Sequence, residues 1–254
     1  MKREKVLFAV MTTFMVALFV VPAINAQAQK TLTAQGQEVE VPVPADPGIF
    51  TIKGEFARIA WNNEGWVTLG YRTANDSQGQ DWMLLEVGVT VLKGAKNQVL
   101  KRENFAVTLP DGSILPMASI EEYRNAYSLR ALNSRGNTIR DPINYFPAGA
   151  TQACPMLFFT DPTKGDTGLA FDQFEINWQR ACLGRLFFKM PEGKTIEPGQ
   201  YWLNVQFADS ILNTPFRIMT KEEQKFLKKN WKDLKKEWEA YLKAEAEKAK
   251  QQQQ

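Results

Sequence analysis

Histidine is absent from all 254 residues, and cysteine occurs twice. The first absence removes every Ser-His-Asp or Cys-His catalytic arrangement and every histidine metal ligand. Two cysteines are too few for a cysteine-built zinc site or an iron–sulfur cluster. No Gly-rich phosphate loop, nucleophile elbow or H-E-x-x-H motif is present. An excess of one charge is also lacking, with 31 Lys and Arg against 28 Asp and Glu. The apolar fraction of 44% and charged fraction of 23% are ordinary for a folded globular chain.

One long hydrophobic run exists, and it is at the start. Lys2, Arg3 and Lys5 precede an apolar stretch from Val6 to Val21, interrupted by Thr12 and Thr13. Pro22 breaks it, and Ala26-Gln27-Ala28 supplies the small residues of a cleavage site. This is the pattern of a secretory signal peptide over residues 1–28; an uncleaved anchor would need an apolar stretch nearer to about 20 residues. No cysteine follows the run to carry a lipid. Removing residues 1–28 takes away three basic residues and Glu4, leaving 28 basic and 27 acidic residues. A chain so close to neutral has no global field to draw nucleic acid, and it keeps no stable membrane anchor after cleavage. The expected location is therefore periplasmic or secreted, with a bacterial envelope as the setting. In that setting Cys154 and Cys182 are most simply one disulfide, closing about 29 residues and contributing roughly 3–4 kcal/mol. Two buried free thiols are the alternative.

Residues 29–48 hold three prolines in six residues near their end and read as an extended leader. Residues 49–219 change to short apolar alternations separated by turns, the β signature. Met83, Leu85, Val87, Val89 and Val91 recur at period two and share one face of a strand. Ile59 to Tyr71 reads as a hairpin turning at Asn62-Asn63-Glu64-Gly65. Ser119 and Glu122 make a capping box that opens a short helix over 119–133. Between Leu169 and Trp178 the apolar phase slips, which predicts a bulge near Asp172.

The run Trp82 to Ser119, followed later by Gly184-Arg-Leu-Phe-Phe-Lys-Met-Pro191, resembles the immunoglobulin-like accessory modules of bacterial exported lipoproteins and secreted antigens. The resemblance covers residues 82–119 and 184–208. It implies an all-β, immunoglobulin-like antiparallel β-sandwich and brings no shared catalytic residues. This chain departs from such modules in lacking the lipid-attachment cysteine and in adding a long C-terminal α-helix.

That helix is expected over 220–250, ahead of a polar Gln tail. Thr220 and Glu223 form a second capping box. Leu227, Trp231, Leu234, Trp238 and Tyr241 step by four and three, an a/d seam of about two heptads. Three readings stay open: docking on the chain's own sandwich, a coiled coil or other contact with a partner or a second copy, and a membrane-surface or nucleic-acid helix. Asn75 to Asp81 and Asp161 to Asp166 are acidic turns with oxygen ligands, yet neither fits the twelve-residue calcium loop. Asp166, Asp172 and Glu175 are the candidates for a carboxylate pair. Trp61, Trp66 and Trp202 line either the core or an aromatic groove for sugar or peptide. No catalytic residue, cofactor site or metal site is assigned. The expected function is a non-enzymatic, exported sandwich acting as an interaction or accessory envelope subunit. The alternatives are a small-molecule or glycan-binding sandwich and a carboxylate-only hydrolase.

Overall fold

The computed structural model describes residues 29–34, 37–42, 49–126, 128–138, 141–160 and 169–251. Residues 1–28, read above as a signal peptide, residues 161–168 with Asp161 and Asp166, and the last three glutamines lie outside them. In chain order the first elements are β1 (Gln29–Ala34), β2 (Gln37–Pro42), β3 (Ile49–Gly54), β4 (Ala57–Trp61), β5 (Gly65–Gly70), α1 (Arg72–Asn75) and β6 (Trp82–Val91). Next come β7 (Gln98–Lys101), β8 (Phe105–Thr108), β9 (Ile114–Pro116), α2 (Ile120–Arg124) and α3 (Leu129–Thr138). The chain finishes with β10 (Gln152–Met156), β11 (Gln173–Ile176), β12 (Arg180–Lys189), β13 (Gly199–Gln206), β14 (Ile211–Ile218) and α4 (Lys221–Gln251).

The fold is mostly β and sandwich-like. One sheet runs β10-β12-β6-β5-β4-β3 and the facing sheet β14-β13-β8-β9. Val67, Leu69, Val87, Val89 and Leu186 of the first sheet meet Val107, Leu203, Val205 and Phe216 of the second, all almost fully buried. This inner face is the period-two stripe of Met83 to Val91, as the sequence predicts. The β4–β5 hairpin turns where expected: Asn62 N–H donates to Gly65 O at 3.1 Å, and Asn62 Oδ1 accepts from the amides of Glu64 and Gly65. In the stretch read as an extended leader, β1 and β2 pair antiparallel, and β1 passes beside α4.

Three details differ from expectation. The pairing is antiparallel except at β10, which lies parallel to β12 on the edge of its sheet. Edge placement suits Pro155, which has no amide hydrogen to give a further strand. The short helix expected over 119–133 is two: the Ser119/Glu122 box starts α2, which stops at Asn125, and α3 continues to Thr138. The bulge expected near Asp172 is absent. β11 starts at Gln173, so Leu169 and Phe171 precede the strand, and that accounts for the slip in phase.

β6 is buried along its whole length, so both faces of the larger sheet are covered. The outer cover is the segment of α2, α3 and residues 141–151. Gly136 lies against Leu84, Ile143 over Gly70 and the Phe146 ring over Gly88. Arg185 of β12 fastens α3 to the sheet by donating to Asn133 Oδ1, to Gly136 O at 3.0 Å and to Asn137 Oδ1 at 2.7 Å. The same guanidinium lies 3.8 Å from the buried Glu86 carboxylate.

Candidate functional site

The C-terminal helix begins as its sequence dictates. Glu223 N–H donates to Thr220 Oγ1 at 3.2 Å, and Thr220 N–H donates to Glu223 Oε2 at 2.8 Å. Thirty-one residues follow, about 46 Å at 1.5 Å per residue. Leu234 and Trp238 are buried, while Leu227, Trp231 and Tyr241 are half-buried against the same core. The Trp238 ring stacks on Phe50 of β3 at 5.0 Å, and Tyr241 lies 5.5 Å from Trp238. All five seam residues therefore pack on the chain's own sandwich.

The root of α4 is fastened by the first of the two acidic turns. Asn75 Oδ1 accepts from Met219 N–H at 2.8 Å, and Gln78 Nε2 donates to Met219 O at 2.8 Å. Ser77 Oγ donates to Thr73 O, and Gln80 Oε1 accepts from Arg135 at 2.9 Å. The amide and hydroxyl side chains of this turn, Asn75, Ser77, Gln78 and Gln80, are thus engaged in hydrogen bonds within the fold. Among the described residues no group of three or more His, Cys, Asp or Glu side chains is placed to hold a metal ion. Of the three carboxylates considered for hydrolysis, Asp172 and Glu175 are solvent-exposed and Asp166 lies outside the described residues.

Cys154 and Cys182 form a disulfide, with Cα atoms 4.5 Å apart. They are direct register partners in the β10–β12 pair. Two residues further along, Gly184 faces Met156, where a Cβ atom would overlap the Met156 carbonyl oxygen. The glycine of the G-x-L-F-F segment is therefore required by the close approach of β10.

The three tryptophans considered as groove residues do not share a surface. Trp61 and Trp66 stack at 4.9 Å on the outer side of the larger sheet, and Trp66 Nε1 donates to Tyr145 O at 2.7 Å. Trp202 belongs to β13 of the other sheet. A shallow cleft of about 500 Å³ lies between the start of β6 and α2, lined by Asp81, Glu121, Glu122, Asn125 and Lys189. Glu122 there has a lowered pKa. The Ser119 amide holds it below the ordinary glutamate range, as a capping carboxylate requires.

Sequence reasoning missed one surface. Leu169 is 71% exposed, Phe171 50% and Leu157 37%. They are neighbours: Phe171 N–H donates to Leu157 O at 2.7 Å. The slip in apolar phase is the signal that could have found it, since it marks apolar residues that no strand turns inward. Among the described residues no helix is long and apolar enough to cross a membrane. No family model matches the chain, and no match is found among curated proteins or solved structures.

Proposed function

We propose that this chain is a non-enzymatic accessory protein of the bacterial envelope that works by binding a protein partner. The observation that carries this reading is the exposed apolar group of Leu157, Leu169 and Phe171. Clustered apolar exposure beside an ordered sheet marks a contact surface, whereas scattered single residues need no explanation. The N-terminal export pattern and the Cys154–Cys182 disulfide support an oxidising compartment. The reading also agrees with the resemblance to immunoglobulin-like accessory modules, which brings no shared catalytic residues. The contact is assigned to the Leu169 and Phe171 surface and not to the helix seam, because Trp238 and Leu234 are already covered.

The test is cross-linked capture from the native envelope with the wild type and with Leu169→Asp/Phe171→Asp. The expected result is a discrete partner, identified by mass spectrometry, that is lost in the double variant while thermal unfolding is unchanged. Sedimentation of the pure protein shows whether a second copy is that partner. Retention of the same partner by a folded double variant refutes the reading.

A further inference from the structure

The solvent side of α4 is a basic ridge, and we infer that it docks on an anionic phospholipid surface. With the seam turned to the sandwich, residues 221–243 expose seven lysines and three acids. Lys225, Lys229, Lys232 and Lys236 step by four, three and four, which sets them in one line along the helix, with Lys228 beside it. That line is about 16 Å long at 1.5 Å per residue. Among the described residues none of these five lysines is in ion-pair contact with an acid; the pair on this helix joins Lys235 to Glu239 at 3.8 Å.

Such a row is unfavourable on its own. Like charges at i,i+3 and i,i+4 destabilise a helix, and Lys225/Lys229, Lys228/Lys232 and Lys232/Lys236 are all of this kind. Asp233, four residues after Lys229 and three before Lys236, offsets only part of this repulsion, and an external anion would relieve the rest. The shape of the ridge selects the partner. A straight, convex row of flexible ammonium groups matches a plane of lipid phosphates, each of which accepts a point charge without directional demands. Nucleic acid fits less well, because the exposed side offers no arginine for bidentate base contacts and no aromatic ring for stacking. The apolar residues of α4 stay on the sandwich, so the attachment is electrostatic, reversible and sensitive to salt. This inference does not rest on the protein-partner reading, which concerns a different surface.

The experiment uses protein purified after export, with its N-terminus determined. It is sedimented with phosphatidylcholine vesicles and with vesicles of equal parts phosphatidylcholine and phosphatidylglycerol. The expected result is binding to the anionic vesicles alone, lost in high salt. Reversing Lys225, Lys229, Lys232 and Lys236 to Glu should weaken it at least about tenfold, and the four Lys→Arg changes should keep it. Near-UV circular dichroism of the tryptophans checks folding; should the Glu variant fail it, the four Lys→Gln changes replace it. Equal binding to neutral vesicles, survival of binding in the charge-removed variant, or binding of soluble heparin with none to anionic vesicles overturns the inference.

Discussion

Trp238 of α4 lies flat against Phe50 of β3, ring centroids 5.0 Å apart and planes inclined by 29°, each side chain 1% exposed. Phe50 faces the same side of its sheet as Ala60 and Val67, its neighbours through the register of β3, β4 and β5. The helix therefore completes the inner layer over the β3 edge. It belongs to the core it covers.

Trp238→Ala should cost about 3–5 kcal/mol, the range for truncating a large buried aromatic. Trp231→Ala should cost clearly less, because that ring is half-buried. Trp238→Phe should be mild, since it keeps the ring contact and removes an indole N–H that has no hydrogen-bond partner among the described residues. Urea unfolding of the three variants checks the order. Equal losses for Trp231→Ala and Trp238→Ala would show that the Phe50 contact is unimportant.

The α2 capping box should make part of the stability pH-dependent. Glu122 has a lowered pKa in the folded chain, chiefly through the Ser119 amide. A depressed carboxyl contributes stability that is complete above its unfolded pKa and is lost as pH falls through the folded value. The melting-temperature difference between wild type and Glu122→Gln should thus be positive at neutral pH and vanish in acid. Ser119→Ala, which deletes the Oγ that accepts from Glu122 N–H at 3.1 Å, should cost about 1 kcal/mol at neutral pH.

Periodicity and spacing make the β4–β5 hairpin, the inner stripe of β6 and both capping boxes legible in the sequence, because each is set by residues close along the chain. The cover over the outer face is not legible there. Phe146 meets Gly88 and Arg185 meets Asn133 across more than fifty residues, and no local period marks a face as covered twice. The seam of α4 is readable as apolar, while its target, Phe50, is one inward residue among many. The exposed ridge is defined only once the seam has a direction.

Arg185 should be the residue that locks this cover. Arg185→Met removes donors from Asn133, Gly136 and Asn137 and takes the cation away from Glu86. Charged hydrogen bonds of this kind contribute about 1.5–3 kcal/mol each when one partner is deleted. Hydrogen exchange should rise most over 129–138. Uniform exchange across the whole chain would mean that α3 does not open separately.

Gly184 and the disulfide should be energetically coupled. A Cβ at Gly184 runs into the Met156 carbonyl, which is backbone and cannot rotate away as a side chain can. Relief requires β10 to move outward, and the Cys154–Cys182 bond holds that strand two residues away. Gly184→Ala should therefore destabilise the oxidised protein by about 1–3 kcal/mol or more, the scale of overpacking. Cys154→Ser/Cys182→Ser should itself cost about 3 kcal/mol through the freed loop. In that background β10 is free to shift, so Gly184→Ala should cost less than it does with the bond intact. A double-mutant cycle on urea midpoints measures the difference, expected between about 0.5 and 3 kcal/mol for groups sharing a backbone shift. Strict additivity would show that β10 yields without regard to the bond, and that the close approach at Gly184 is not what the disulfide maintains.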